Sequence, residues 1–254
     1  MSQYVFGTGT LWGTATQDAQ GNTIAVPTPL KFGELQDINA DFSRDLKMLY
    51  GQNAMPVAVA GGKMKFDFKA KFARMSGRVF NDLYFGQSMA GGSLAAVYND
   101  ATGAAIPASP FQLTVTPPSA GTYTRDLGVI NANGVGMQRV AAAPATGQYS
   151  QAGAVYTFAA ADVGLQVFVS YAYTAAAAGA QKISLANLQM GATPVFGIDL
   201  AISYQGKQHN WRFPNCVSSK LTIDPKQDDF AQVGFDFSAF CDATGNIGYL
   251  VLAE

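Results

Sequence analysis

A single histidine, His209, and two cysteines, Cys216 and Cys241, leave the chain short of the side chains that most enzymes use for acid–base, thiol and zinc chemistry. No His/Cys cluster has the spacing of a zinc site, and two cysteines cannot build a disulfide framework. His209 shares its period with Trp211 and Phe213, which predicts a packed, hydrogen-bonded residue on the more apolar face of a strand rather than a general base. Charge is also scarce, with 13% of residues charged and 48% hydrophobic, where soluble domains usually carry about 25% charged residues. Much of the surface must then be uncharged, as in a subunit buried in an assembly. A net charge of −1 and a pI near 5.8 exclude a global field that recruits nucleic acid or acidic membrane, so any basic patch is local.

Long hydrophobic runs are missing too. One charge-free span, residues 163–181, has roughly the length of a membrane helix. Gln166, Ser170 and Tyr173, with alternating Val167, Val169 and Tyr171, predict a strand followed by a small-residue linker instead. The start "MSQYVFGTGTLWG" lacks a basic segment and a continuous apolar run, so the expectation is free thiols in a reducing cytoplasm and no membrane partner. "GTGTLWG" misses the dinucleotide fingerprint in spacing and follows no strand. "DPKQDDF" (Asp224, Asp228, Asp229) lacks the ordered ligand spacing of calcium loops and reads as a solvated turn. No residue set supports an enzyme, and no cofactor or metal is implied.

What the chain has is strand alternation. "KMKFDFKAKF", residues 63–72, places Lys63, Lys65, Asp67, Lys69 and Lys71 on one face and Met64, Phe66, Phe68, Ala70 and Phe72 on the other. Upstream, Asp37, Asn39, Asp41, Ser43 and Asp45 alternate with Ile38, Ala40, Phe42 and Leu46. Two readings follow. The strands form a hairpin in which Asp37, Asp41 and Asp45 answer Lys63, Lys65, Lys69 and Lys71, each pair contributing about 0.2–1 kcal/mol. Alternatively the lysines grip phosphate, which would want arginines or aromatics interleaved on the same face, and none are there. Between them "YGQNAMPVAVAGG", residues 50–62, is loop-like at both ends and apolar in the middle. Tyr50, Gly51, Gln52, Met55, Pro56, Val57 and Val59 are either a protein contact or a loop folded back on its own core.

Further along, Phe196, Ile198, Leu200, Ile202 and Tyr204 share a face, "QG" at Gln205 reverses the chain, and Val233, Phe235, Phe237 and Ala239 share another. The turns "DAQGN", "DATGA" and "DATGN" at Asp18, Asp100 and Asp242 each pair an Asp that bonds its own backbone with a Gly of positive φ, suggesting three hairpins. Only "SGRVFNDLYFG" reads as a helix, with Ser76 as N-cap and Gly86 as stop. Basic residues concentrate in residues 31–86, residues 90–181 are nearly uncharged and rich in Gly, Ala, Thr and Pro, and residues 182–254 lean acidic. The expected fold is mainly β: antiparallel sheets in a sandwich or barrel with one short flanking helix. A discontinuous β domain (1–90 and 182–254) would carry an inserted β subdomain (91–181).

The segments "GELQDINADFSRDLKMLYGQNAMPVAVAGGKMKFDFKAKFARMSG", "NDLYFG", "LQMGATPVFGIDLAISYQGK" and "CVSSKLTIDPKQDDFAQVGFDFSAFCDATGN" resemble the major tail tube protein of long-tailed, siphovirus-type bacteriophages. Together they span somewhat more than half of the chain, and the middle region carries least of the likeness. The resemblance implies a structural virion protein, assembled in the host bacterial cytoplasm and located in the tail. Six copies would form a ring, rings would stack into a tube, and DNA would pass through to the host. Implied partners are further copies of the chain, the tape measure, the tail terminator, the tail tip, and DNA in transient, non-specific passage. The apolar loop from Tyr50 to Val59 becomes an inter-ring or inter-subunit contact, the hairpin strands become tube wall, and the inserted subdomain would face outward. A binding module, a β-sandwich decoration protein or adhesin using the aromatic-rich middle region to hold a glycan or capsid surface, is the competing expectation.

Overall fold

The structure is a computed structural model that describes residues 6–252. Strands take up 59% of the described residues and helix 5%, so the fold is mainly β. In chain order the strands are β1 (Thr10–Gln17), β2 (Pro29–Lys31), β3 (Gly33–Tyr50), β4 (Pro56–Arg74), β5 (Met89–Tyr98), β6 (Ala104–Ala105), β7 (Gln112–Thr114) and β8 (Thr122–Asn131). There follow β9 (Gln138–Val140), β10 (Gln148–Ala152), β11 (Val155–Phe158), β12 (Gln166–Ile183), β13 (Val195–Tyr204), β14 (Lys207–Asp224), β15 (Gln232–Ala239) and β16 (Tyr249–Leu252). One short helix, α1 (Gly77–Phe80), runs on into a π-helical turn, Asn81–Phe85. The chain divides into two compact units, residues 1–88 with 183–254, and residues 89–182.

The first unit is built on one eight-stranded sheet in the order β2-β1-β13-β14-β15-β4-β3, with β16 beside the first half of β14. Every pairing in it is antiparallel. It ends on β2 and β3, so the arrangement is sandwich-like and not the closed barrel that was the other option. Alternation decides which way each strand faces: Phe196, Ile198, Leu200 and Ile202 of β13, Val233, Phe235 and Phe237 of β15, and Phe68, Ala70 and Phe72 of β4 all turn into one core. Phe68 stacks on Phe237 with centroids 5.0 Å apart, and Phe42 of β3 closes over Phe213 and Trp211 of β14, so the sheet curls around its own aromatic interior. The β13–β14 turn is made by Gln205 and Gly206, both at positive φ, as a two-residue hairpin requires.

The helix lays Val79 and Leu83 into this core. Its second half is a wider turn than the apolar spacing predicted, closed by the Gly86 N–H donating to the Asn81 carbonyl at 2.6 Å. Gly86 takes φ +59, the left-handed stop expected of it, whereas Ser76 makes no side-chain cap. The three Asp turns form, with Asp18, Asp100 and Asp242 each accepting backbone N–H bonds on Oδ1. The Asp18 turn makes its hairpin, with β1 and β2 antiparallel and Gln17 bridged to Thr23. The other two do not: β5 and β6 flank β12, and β15 and β16 pair separately with β14, so those turns redirect the chain between strands that are not neighbours.

The second unit has two four-stranded sheets, one in the order β7-β11-β10-β9 and one in which β5, β6 and β8 all pair with β12. β9 and β10 run parallel. β12 continues through Ile183, so the alanine-rich stretch expected to be a linker is strand. Its core holds Ile106, Val129, Val167, Val169 and three buried tyrosines, Tyr149, Tyr156 and Tyr171.

Candidate functional site

The strands β3 and β4 pair along nearly their whole length, from Gly33 opposite Arg74 to Tyr50 opposite Pro56. The expected hairpin is therefore present, but the expected loop is not. Only residues 51–55 lie outside the two strands. Pro56, Val57 and Val59 belong to β4, and Tyr50 is the last residue of β3. The apolar run Val57–Ala58–Val59–Ala60 was legible as alternation once its two faces are separated. The glycines Gly61 and Gly62 that suggested a loop instead mark a bulge, where the register shifts between Arg44 and Leu46.

This hairpin outruns the sheet. β15 follows β4 only from Phe72 to Phe66, so β4 residues 56–65 pair with β3 alone and form a two-stranded arm. Met48 stands opposite Val59 and Leu46 opposite Gly61, so, with Val57 at the register shift between Leu49 and Tyr50, Leu46, Met48 and Val59 share one side. The Tyr50 hydroxyl donates to Met48 Sδ at 3.3 Å, adding Tyr50 to it. That side continues the face of Phe42 and Phe66, from which it is separated by Arg44, whose Nη2 donates to Met64 Sδ, and no described residue covers it: Val57 is 68% and Val59 56% exposed, and Leu46, Met48, Tyr50 and Met55 are exposed as well. A two-stranded ribbon is at best marginally stable in water, and a contiguous apolar surface of this kind marks a contact site.

The opposite side of the same sheet is polar, and its register corrects the expected charge pairing. Asp37 does lie opposite Lys71. Asp41, however, faces Asp67, Lys65 faces Ser43, and Lys69 faces Asn39. Asp45 and Lys63 sit at the bulge with no cross-strand partner of opposite sign in the ladder. The carboxylate that answers Lys69 comes from the other flank: Asp236 of β15 is paired with Lys69 on one side and with Lys220 of β14 on the other. Sequence reasoning missed Asp236 because the adjacency of β15 to β4 spans more than 160 residues and no local pattern carries it. Asp67 is held by the Ser238 hydroxyl, which donates to its Oδ1. Among the described residues the ion pairs within 4.0 Å are Arg78–Asp82, Arg139–Asp126, Arg212–Asp199 and Lys226–Asp229, and none joins a carboxylate to a lysine of this face.

The residues weighed for chemistry do not converge. His209 is buried between Ile202 and Leu252 of the neighbouring strands, as its period implied, but among the described residues neither ring nitrogen has a hydrogen-bond partner, and Trp211 Nε1 has none either. Asp224, Asp228 and Asp229 lie at the β14–β15 turn, where Asp229 Oδ1 accepts from the Phe230 N–H at 2.7 Å. Among the described residues no group of three or more His, Cys, Asp or Glu side chains could hold a metal ion, and no helix is long and apolar enough to cross a membrane. No family model matches the chain, and no curated protein matches its sequence.

Proposed function

We propose that the chain is a self-assembling structural subunit whose copies form the tail tube of a long-tailed bacteriophage, the conduit through which DNA passes. The observation that carries the reading is the uncovered apolar side of the β3–β4 arm, a continuation of the core face that lacks a core. Water penalises such a face at roughly 25 cal/mol per Å² of apolar area, and burial against another copy removes that penalty. An open sheet with free edge strands has the same need for a neighbour, since identical subunits closing edge to edge leave no unpaired backbone. The low charge of the chain fits a surface consumed by such contacts. In this reading the arm, with Tyr50, Gly51, Gln52, Met55, Pro56, Val57 and Val59 around its tip, reaches a neighbouring copy. The ladder with Asp37, Asp41, Asp45, Lys63, Lys65, Lys69 and Lys71 forms wall, and the tape measure, terminator and tip proteins are the other tail partners.

The competing reading, a module that binds a glycan or capsid through its aromatic middle region, has less support. Tyr149, Tyr156 and Tyr171 face the core of the second unit and leave no stacking platform of their own. Negative-stain microscopy of the purified protein at high concentration tests the proposal. Stacked rings or tubes with a central hole are expected. A dispersed monomer that does not assemble, even with tail initiator added, overturns it.

A further inference from the structure

Two ends of one sheet carry opposite charge. β15 pairs with β4 from Val233 opposite Phe72 to Ala239 opposite Phe66, and β14 meets β15 with Asp224 opposite Gln232. The β14–β15 turn, residues 225–231, therefore stands beside the Phe72 end of β4, while the β3–β4 arm runs out from the Phe66 end. From Ser43 to Lys65 the arm bears Arg44, Lys47, Lys63 and Lys65 against a single carboxylate, Asp45. Around the turn, Asp224, Asp228 and Asp229 stand against a single lysine, Lys226. All of these side chains are exposed. Among the described residues the one ion pair within 4.0 Å that involves any of them is Lys226–Asp229, inside the turn itself, so the arm's cations are not answered by carboxylates of their own chain.

Each end also presents apolar surface. Leu46, Met48 and Val59 are exposed on one side of the arm, and at the turn Ile223 is 48% and Phe230 87% exposed. An apolar patch rimmed by charge has the make-up of a protein interface, whose centre is buried and whose rim selects the partner. Arm against arm would set cations against cations, and turn against turn would set carboxylates against carboxylates, so a symmetric pair of either kind is repelled. Arm against turn is the pairing in which both rims attract.

We propose, resting on the self-assembly reading above, that the partner of the arm is the β14–β15 turn of a second copy. Ile223 and Phe230 bury against Leu46, Met48 and Val59, and Arg44, which lies on that same side of the arm, meets the carboxylates of the turn at close range. Lys47, Lys63 and Lys65 add attraction that reaches about 8 Å at physiological salt. Because the two halves sit at opposite ends of the sheet, every added copy leaves one arm and one turn free. The contact therefore propagates head to tail instead of closing as a pair.

The test uses the full chain and sedimentation velocity. Native assembly is expected to weaken between about 50 mM and about 500 mM salt as the charges are screened. An arm variant, Arg44→Glu with Lys63→Glu and Lys65→Glu, and a turn variant, Asp228→Lys with Asp229→Lys, should each stay monomeric alone, since arm and turn then carry the same sign. Mixed in equal amounts they should co-assemble, because each arm then meets a turn of opposite sign. Assembly by either variant alone, a mixture that stays monomeric, or native assembly indifferent to salt overturns the proposal. Thermal melts show whether each variant is folded. Should a reversed variant unfold, Lys63→Gln with Lys65→Gln, and Asp228→Asn, keep the question open to measurement: each should raise the concentration needed for assembly about tenfold, and no rise overturns the pairing. A native chain that stays monomeric at every salt concentration sinks the self-assembly reading and this pairing together, whereas a native chain that assembles alongside charge-reversed variants that also assemble sinks the pairing alone.

Discussion

The Tyr149 hydroxyl donates a 2.6 Å hydrogen bond to Asp126 Oδ2, joining a strand of one sheet of the second unit to a strand of the other. Asp126 Oδ1 also accepts from the Tyr156 hydroxyl at 3.0 Å and from the Gly128 N–H at 2.9 Å, and Arg139 Nη1 lies 3.9 Å from Oδ2. The carboxylate is 5% exposed and has donors on both oxygens, so it works as a polar clamp between two sheets. Asp126→Ala strands the buried Tyr149 hydroxyl and leaves the Tyr156 hydroxyl with Tyr123 alone, and should destabilise the unit by about 3 kcal/mol. Arg139→Ala, at a half-exposed side chain, should cost about 1 kcal/mol or less. Urea melts followed by tyrosine near-UV circular dichroism would check both. Equal, small losses would show that the clamp carries no special share.

The same cluster sets an alkaline limit. Burial first, then the hydrogen bond and charge of Asp126, hold Tyr149 well above its ordinary value near 10, while burial and the Tyr123 and Asp126 contacts do the same for Tyr156. A folded-state pKa above the unfolded one means the contribution is whole below pH 10 and is lost as pH rises through the folded-state value. The expected result is a thermal midpoint steady through neutral pH and falling above about pH 10. Absorbance at 295 nm should show Tyr149 and Tyr156 ionising only as the second unit opens. Normal titration of every tyrosine in the folded protein would refute the clamp.

The two thiols should separate kinetically. Burial pushes the Cys216 thiol up to about 12, and its Sγ donates to the Phe213 carbonyl, whereas Cys241 is exposed. With a disulfide reagent at pH 8, Cys241 should react at once and Cys216 only on unfolding. Fast reaction of both would mean that the β13–β14 region opens readily.

Helix and sheet meet over a missing side chain. A Cβ on Gly13 of β1 would lie 2.5 Å from Leu83 Cδ1 and 3.0 Å from Phe32 Cε2, and both partners are fully buried. Gly13→Ala should therefore destabilise the first unit by about 1–3 kcal/mol through overpacking, although alanine loses less backbone entropy than glycine. Leu83→Ala should cost about 2–5 kcal/mol as a cavity. The two together should cost less than their sum, since the added methyl occupies space the leucine vacates. Additive losses in denaturant melts would deny the contact.

Much of the fold was legible because alternation is a local property. Phe196 to Ile202 and Val233 to Phe237 declared their buried faces, and the Gln205–Gly206 turn declared its hairpin. The composition change near residues 90 and 181 falls close to where the chain divides, at 88/89 and 182/183. What stayed hidden depended on distant partners. The order that sets β4 between β3 and β15 decides that Lys69 is answered by Asp236 and that Asp41 faces Asp67, and no window of sequence contains it. The arm was obscured for a different reason. Its bulge glycines and Pro56 carry turn chemistry, and only pairing to residues 46–50 shows them to be strand.

The arm yields the sharpest test of assembly. Val57 and Val59 are more than half exposed and touch no core cluster, so Val57→Asp with Val59→Asp should leave the melting curve of the monomer within about 0.5 kcal/mol of native. Burying either carboxylate without a partner against a neighbouring copy would cost several kcal/mol, enough to abolish polymerisation. Sedimentation and negative-stain images of the double variant should show folded monomer and no tubes at concentrations where the native chain assembles. Val57→Thr, which removes apolar area without adding charge, should weaken assembly rather than end it. Normal tubes from the aspartate variant would show that the arm is not the contact. An unfolded monomer would show instead that this side of the arm is covered within the chain itself.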